Sequence, residues 1–343
     1  METTHTSVQE YYGKILNSNN DLQTSACCAL ESMPFHLRPI LSDIHPEVVE
    51  KFYGCGSPIP LVLEGKTVLD LGSGTGRDSF MISKLVGEGG KVIGVDMTEN
   101  QLAIANKYIN YHQEKFGYKK PNIKFHKGLI EDLKSLGISD DSIDIVVSNC
   151  VINLSPDKKA VFREIFRVLK PGGELYFSDI FSSRRIPKEL CEDPVLLGEC
   201  LVGAMYVEDF RRMLLDLKIK DYRIISRSKI SLFNQDMKDK IGPIDFYSMT
   251  IRAFKMDLED RCEDYGQLAI YQGTLPEYPS TFLLDDHHIF EKGRPMPVCS
   301  NTARMLSQSR FSPYFQIIGE EKTHFGIFDC APSISNESLG ACC

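Results

Sequence analysis

The chain has 343 residues, a net charge of −8 and 42% hydrophobic residues, enough for roughly two domains with an ordinary core. The acidic balance argues against nucleic acid or an anionic membrane as the main partner, and no uninterrupted apolar run approaches the roughly 18 residues of a membrane span. Met1-Glu2-Thr3-Thr4-His5 lacks the basic-then-apolar pattern of a signal peptide, which predicts a cytoplasmic protein.

In chain order, Lys66–Leu71 is a short apolar run, a first strand, followed by Gly72-Ser73-Gly74-Thr75-Gly76 and a helical segment from Arg77 to Val86. Lys91–Asp96 reads as a second buried strand. Thr98 and Gln101 have capping-box spacing and open a helix to about Phe116. Ile123–His126 and Ile143–Val147 read as strands three and four. Ser155-Pro156 places an N-cap and then proline at the first helical position; that helix ends at Lys170-Pro171-Gly172-Gly173, and Glu174–Ser178 is a fifth strand. Such alternation implies βαβ units, a mostly parallel sheet, and a ligand along one sheet edge. After residue 180, residues 189 to 217 read as helical, and Tyr222–Ser226 and Phe246–Phe254 as late strands, finishing the sheet as an antiparallel pair. From about residue 257 proline, glycine and scattered aromatics suggest a smaller, irregular domain.

A glycine-rich turn between strand and helix lets backbone approach a ligand and aims helix N–H groups at it. The spacing is G-x-G-x-G, which is neither the dinucleotide pattern nor a P-loop. Asp96, 20 residues past Gly76 at a strand end, can accept both ribose hydroxyls of an adenosine group. Val68-Leu-Asp70-Leu-Gly72-Ser-Gly74-Thr-Gly76 resembles the first motif of the class I S-adenosylmethionine-dependent methyltransferases. Gly128-Leu-Ile130-Glu131-Asp132, Ser148-Asn149 and Leu169-Lys170-Pro171-Gly172-Gly173 resemble that superfamily's later motifs, in order. The resemblance implies an α/β, Rossmann-like sheet with helices on both faces, carrying a helical acceptor-binding insert and a small C-terminal α+β domain. It also implies that Asp70, Gly72, Ser73, Gly74, Gly76, Asp96, Met97, Gln101, Ile130, Glu131 and Asn149 bind S-adenosylmethionine. The expected divisions are an N-terminal cap over 1–60, the cofactor domain over 61–180, the insert and final strands over 181–256, and the C-terminal domain with its tail over 257–343.

Eleven cysteines are the unusual component, at 27, 28, 55, 150, 191, 200, 262, 299, 330, 342 and 343. An odd number without a signal peptide argues against a secreted disulfide scaffold, and no C-x-x-C pair supports a structural zinc site. Cys150 directly follows Ser148-Asn149, where this fold presents the donor methyl; Cys200 lies in the insert, and Cys55, Cys27 and Cys28 precede the first strand. Several thiols beside a sulfonium methyl suit a soft, thiophilic acceptor. Trivalent arsenic fits, since three thiolates leave it an apical lone pair that can attack the methyl.

The chain resembles the arsenite methyltransferases through Asp21-Leu-Gln-Thr24-Ser-Ala-Cys27, Tyr53-Gly-Cys55-Gly, Ser148-Asn-Cys150-Val-Ile-Asn153-Leu, Gly198-Glu-Cys200-Leu, Cys262-Glu-Asp-Tyr265-Gly-Gln and Val298-Cys299-Ser-Asn-Thr302-Ala. The resemblance implies Cys55, Cys150 and Cys200 as As(III) ligands and Cys27, with Cys28 adjacent, as the disulfide-exchange partner. It also implies arsenite or its glutathione complexes as substrate, and thioredoxin or glutathione as reductant. Glu199 either shapes the acceptor pocket or is solvated. Cys191, Cys262, Cys299 and Cys330 default to structural thiols, Cys342-Cys343 to a dispensable tail, and Asp285-Asp286-His287-His288 to a polar loop. The rival readings are a carbon- or oxygen-methyltransferase of a small lipid or quinone-like acceptor, which keeps its activity without Cys150 and Cys200, and a non-catalytic arsenic-binding protein.

Overall fold

The computed structural model describes residues 33–52, 58–190, 196, 201–232 and 235–330. The chain divides into two compact units, one comprising residues up to 170, 175–213 and 227–250, the other 171–174, 214–226 and residues from 251 on. Expectations placed on Cys27, Cys28, Cys55, Cys191, Glu199, Cys200, Cys342 and Cys343 lie outside the described residues. No helix among the described residues is long and apolar enough to cross a membrane.

The first unit opens with two short helices, α1 (Arg38–Ser42) and α2 (Pro46–Glu50), and continues β1 (Thr67–Leu71), α3 (Arg77–Val86), β2 (Lys91–Asp96), α4 (Glu99–Lys107), α5 (Ile109–Phe116), β3 (Ile123–Lys127), β4 (Ile143–Asn149), α6 (Lys158–Val168) and β5 (Leu169–Ser182). Then follow β6 (Met205–Tyr206), α7 (Val207–Asp216), β7 (Arg223–Lys229), α8 (Gln235–Ile241) and β8 (Phe246–Phe254), of which residues 214–216, 223–226 and 251–254 belong to the second unit. The strands form one sheet in the order β3-β2-β1-β4-β5-β8-β7, with β6 on β5. β1 pairs parallel with both β2 and β4, at Leu71↔Val95 and Leu71↔Ser148. The strand order reverses at β1, so the crevice beyond the carboxyl ends of β1, β2 and β4 is the place this topology offers a ligand. Met33, Leu37, Val48 and Leu63 from the N-terminal segment share one buried cluster with Val68, Phe80 and Val147. Burying six such side chains, at roughly 1.5–3 kcal/mol each, holds that segment on the sheet.

Four expectations need correction. The helix from Thr98 breaks at Tyr108 into α4 and α5, where Tyr108 stacks on His45 at 3.7 Å and bonds Glu47. Ser155 does not cap α6; Asp157 does, accepting from the Ala160 N–H at 2.9 Å, while the Ser155 hydroxyl donates to Glu131 at 2.5 Å. β5 starts at Leu169, ahead of the expected turn. The helical reading of 189 to 217 holds, over its described part, at Leu196 and in α7, and is broken by a 3-10 turn at Lys188–Leu190, a turn over 201–203 and a strand at Met205–Tyr206.

The second unit adds β9 (Glu263–Asp264), β10 (Gln267–Tyr271), β11 (Thr281–Leu283), β12 (Ile289–Glu291), β13 (Pro295–Val298), α9 (Ser300–Gln308), β14 (Phe315–Ile318) and β15 (Gly326–Ile327). β10 lies antiparallel between β13 and β14, and β15 pairs with β9. Its core is aromatic: Phe282 lies 5.0 Å from Phe311 and 5.1 Å from Phe315, centroid to centroid. The buried Glu174 pairs with Arg252 at 2.5 Å and with Arg310.

Candidate active site

A cleft opens at the carboxyl ends of β1, β2 and β4. Its walls are Gly72 to Thr75 after β1, Asp96 to Thr98 and Gln101 after β2, Gly128 to Glu131 after β3, and Asn149 to Val151 with Leu154 and Ser155 after β4; Lys51 and Phe52 close one side. Gly72 has φ +70°, and a Cβ there would collide with Val151 across the cleft floor. Glycine is therefore required both by backbone conformation and by close approach. The Gly74 N–H donates to Asp96 at 2.8 Å, and the Thr98 N–H donates to the other carboxylate oxygen at 2.7 Å. Asp96 is thus oriented by two backbone donors, and each oxygen keeps one lone pair for a ligand. Burial pushes its pKa up against the lowering pull of those same hydrogen bonds.

Nine of the eleven residues expected at the cofactor line this cleft: Gly72, Ser73, Gly74, Asp96, Met97, Gln101, Ile130, Glu131 and Asn149. Asp70 and Gly76 stand behind its wall. The Asp70 carboxylate accepts from the Ser79 hydroxyl on α3; burial and then the neighbouring Asp78 charge push its pKa up to about 7. Gly76 caps α3 at φ +89° with the Phe125 ring 2.9 Å from where a Cβ would sit, so packing accounts for it. The sequence reading missed Lys51, Phe52, Thr75, Thr98, Leu129, Val151, Leu154 and Ser155. The first pair carried no motif; the Thr75 hydroxyl brings that segment over the cleft by donating to the Val48 carbonyl at 2.8 Å, and Arg77 stacks on the Phe52 ring at 3.2 Å.

The residues present fit S-adenosylmethionine. Asp96 offers paired acceptors for a ribose diol, Met97, Leu129 and Ile130 supply apolar surface for a purine, and two buried polar atoms on the walls, Ser73 Oγ and Gln101 Oε1, have no hydrogen-bond partner among the described residues. Orphaned polar atoms in a lined cleft are what a bound polar ligand satisfies.

Cys150 terminates β4 on the cleft wall. It is buried, holds φ +55°, donates its N–H to the Ser178 carbonyl at 2.8 Å and is disulfide-bonded. The left-handed conformation costs a side-chain-bearing residue about 1–2 kcal/mol, and β5 holds it there. The loop that follows is clamped by the same strand: the Asn153 N–H donates to Asp179 at 3.1 Å, and its side-chain amide donates to the Ile180 carbonyl at 2.6 Å. Burial pushes the pKa of Asp179 up to about 7.

In the second unit, Cys262, Cys299 and Cys330, expected to be separate structural thiols, converge with their sulfurs within 4.8 Å of one another. Asp285 spends its carboxylate on Arg223 at 3.4 Å, on the backbone N–H groups of His287 and His288, and on the His288 ring at 2.8 Å, as a turn-organising residue does.

The Methyltransferase domain family matches residues 63–226, and the Arsenite methyltransferase C-terminal domain family matches residues 265–337. An arsenite methyltransferase of Aquipseudomonas alcaligenes is 53% identical over 326 residues, 95% of this chain and 94% of that protein. The arsenite methyltransferase of Homo sapiens is 42% identical over 320 residues, 92% of this chain and 84% of its own. The crystal structure of CrArsM, an arsenic (III) S-adenosylmethionine methyltransferase from Chlamydomonas reinhardtii, superposes with a TM-score of 0.84 at 48% identity, covering 87% of this chain and all of that one. A topology whose crevice suits S-adenosylmethionine, a cysteine on its wall and relatives matched over nearly their whole length lead to one conclusion: this chain is an S-adenosylmethionine-dependent methyltransferase and belongs to the arsenite methyltransferase family.

Proposed function

We propose that the chain transfers methyl groups from S-adenosylmethionine to arsenite, then to methylarsenite, held by the thiolates of Cys55, Cys150 and Cys200, with Cys27 as their redox partner. The observation that carries this reading is Cys150, a strained, disulfide-bonded cysteine on the wall of the cofactor cleft beside Asn149. Two neighbours support it. Leu201, next in sequence to Cys200, is packed in the same buried cluster as Cys150. Phe52, on the cleft wall, precedes Cys55 by three residues, a reach of about 10 Å of extended chain.

When bound, S-adenosylmethionine supplies an electrophilic methyl on a sulfonium whose leaving group is a neutral thioether. Asp96 and the backbone of Gly72 to Gly74 anchor its nucleoside end, and Ser73 and Gln101 supply further polar contacts. Three thiols replace the three hydroxyls of arsenite and release three waters. Their pyramid leaves the arsenic lone pair aimed at the methyl, so the protein contributes mainly orientation and proximity, worth on the order of 7–11 kcal/mol. Methylation formally oxidises arsenic by two electrons. Two sulfurs that then couple to a disulfide return those electrons, and thioredoxin or glutathione reduces the disulfide by exchange.

The test is incubation with arsenite, thiol and labelled S-adenosylmethionine, followed by separation of the arsenic species. Cys55→Ser, Cys150→Ser and Cys200→Ser should each abolish labelled methylarsenic, and Cys27→Ser should cut turnover while leaving As(III) binding largely intact. Turnover retained in the first three variants overturns the thiolate cradle.

A further inference from the structure

The second unit gathers three thiols that the catalytic reading does not use. Cys262 precedes β9, whose pairing with β15 at Ile327↔Glu263 draws the following segment and Cys330 alongside; the Phe328 N–H donates to the Cys262 carbonyl at 2.7 Å. Cys299 arrives from another direction, at the N-cap of α9 after β13. All three sulfurs lie within 4.8 Å of one another, with Cys262 and Cys299 buried and Cys330 partly exposed at the edge.

The surroundings favour a thiolate. A helix N-terminus and a nearby guanidinium both stabilise negative sulfur. Arg223, itself buried, places Nη2 3.9 Å from Cys299 Sγ, and the Thr302 hydroxyl lies 3.3 Å away. Arg223 is fixed by Asp221 at 2.7 Å and by Asp285, and Asn301 donates to the same Asp221 at 2.9 Å.

We propose that Cys262, Cys299 and Cys330 form a second soft-ion site, which takes trivalent arsenic as a three-sulfur complex. The donor set is all sulfur, which selects thiophilic ions. Among the described residues no further histidine, cysteine or carboxylate joins the group within the same 4.8 Å, which suits a pyramidal three-coordinate centre better than tetrahedral zinc. Three thiols that displace the three hydroxyls of As(OH)3 release three waters and leave a neutral complex. The site stands independently of the Cys55, Cys150 and Cys200 assignment.

Native mass spectrometry of the full-length, reduced chain tests it. In Cys150→Ser, which removes a ligand of the catalytic reading, arsenite should still give an adduct of one arsenic less three hydrogens, the signature of three sulfur bonds. Adding Cys330→Ser, the substitution least intrusive on the core, should weaken retention by roughly 10²-fold or more, because the third sulfur acts at high effective concentration. Arsenite should raise the melting temperature of the first variant and not of the second, and Cys262→Ser on the same background should behave like Cys330→Ser. Equal three-sulfur adducts with and without Cys330, or Zn(II) retained there in preference to As(III) in a thiol buffer, overturns the proposal. A catalytically dead Cys150→Ser that still forms the adduct separates this site from the catalytic one.

Discussion

Asp96 shows how one side chain couples the fold to the cleft. Its two oxygens hold the Gly74 and Thr98 N–H groups and keep a lone pair each for the cleft. Asp96→Ala should weaken S-adenosylmethionine binding by about 1–3 kcal/mol, since it removes both ligand acceptors and orphans two backbone donors. Calorimetric titration that returns unchanged affinity refutes the role. Gly72→Ala should be more damaging to the folded loop than to any contact, because the new methyl meets Val151 at a positive φ; its urea midpoint should fall, and an unchanged midpoint would contradict the steric argument. Asp96 was legible because its spacing after the glycines reports a strand end. Asp70 was only half legible: its motif position is plain, but the sequence does not show that α3 turns Ser79 back onto its carboxylate and leaves it behind the cleft wall.

At the scale of elements, the βα alternation up to residue 180 was readable because buried parallel strands and their helices have distinct periods. Boundaries were less so. Ser155-Pro156 looks like a helix start, yet Asp157 caps α6 and Ser155 turns to Glu131. Asp157→Ala should therefore cost about 1 kcal/mol in stability, read from the denaturant midpoint, and no loss would return the cap to Ser155. Between 189 and 217 the strand at Met205–Tyr206 escaped notice because two extended residues beside a helix carry no period of their own. The cluster of Cys262, Cys299 and Cys330 left no sequence signal at all, since strand pairing and a helix start bring together thiols about 30 or more residues apart.

For the molecule as a whole, buried carboxylates set the pH response. Asp70 and Asp179, both raised to about 7 from an ordinary value near 3.8, hold protons in the folded state that the unfolded chain has already lost. Their contribution is fully present below about pH 4 and is lost as pH rises through 7. These two groups should thus lower stability between about pH 4.5 and 7.5, against a rise up to about pH 6.5 from the buried His112, whose pKa is lowered to about 4, and Asp70→Asn or Asp179→Asn should shift the pH dependence toward that rise by roughly 1–3 kcal/mol each. Urea midpoints that fall in parallel for wild type and both variants would disprove it. The α/β class and the family were legible from ordered motifs over the cofactor half; the second unit, rich in short strands and turns, was legible only as a change of rhythm.

On the proposed mechanism, arsenic receives its methyl group while bound to Cys150. Single-turnover transfer from labelled S-adenosylmethionine to arsenite, measured in Cys150→Ser alongside its cofactor affinity, tests it most directly. Cofactor binding like wild type with no labelled methylarsenic is expected; labelled product at the wild-type rate would rule out Cys150 as the arsenic ligand.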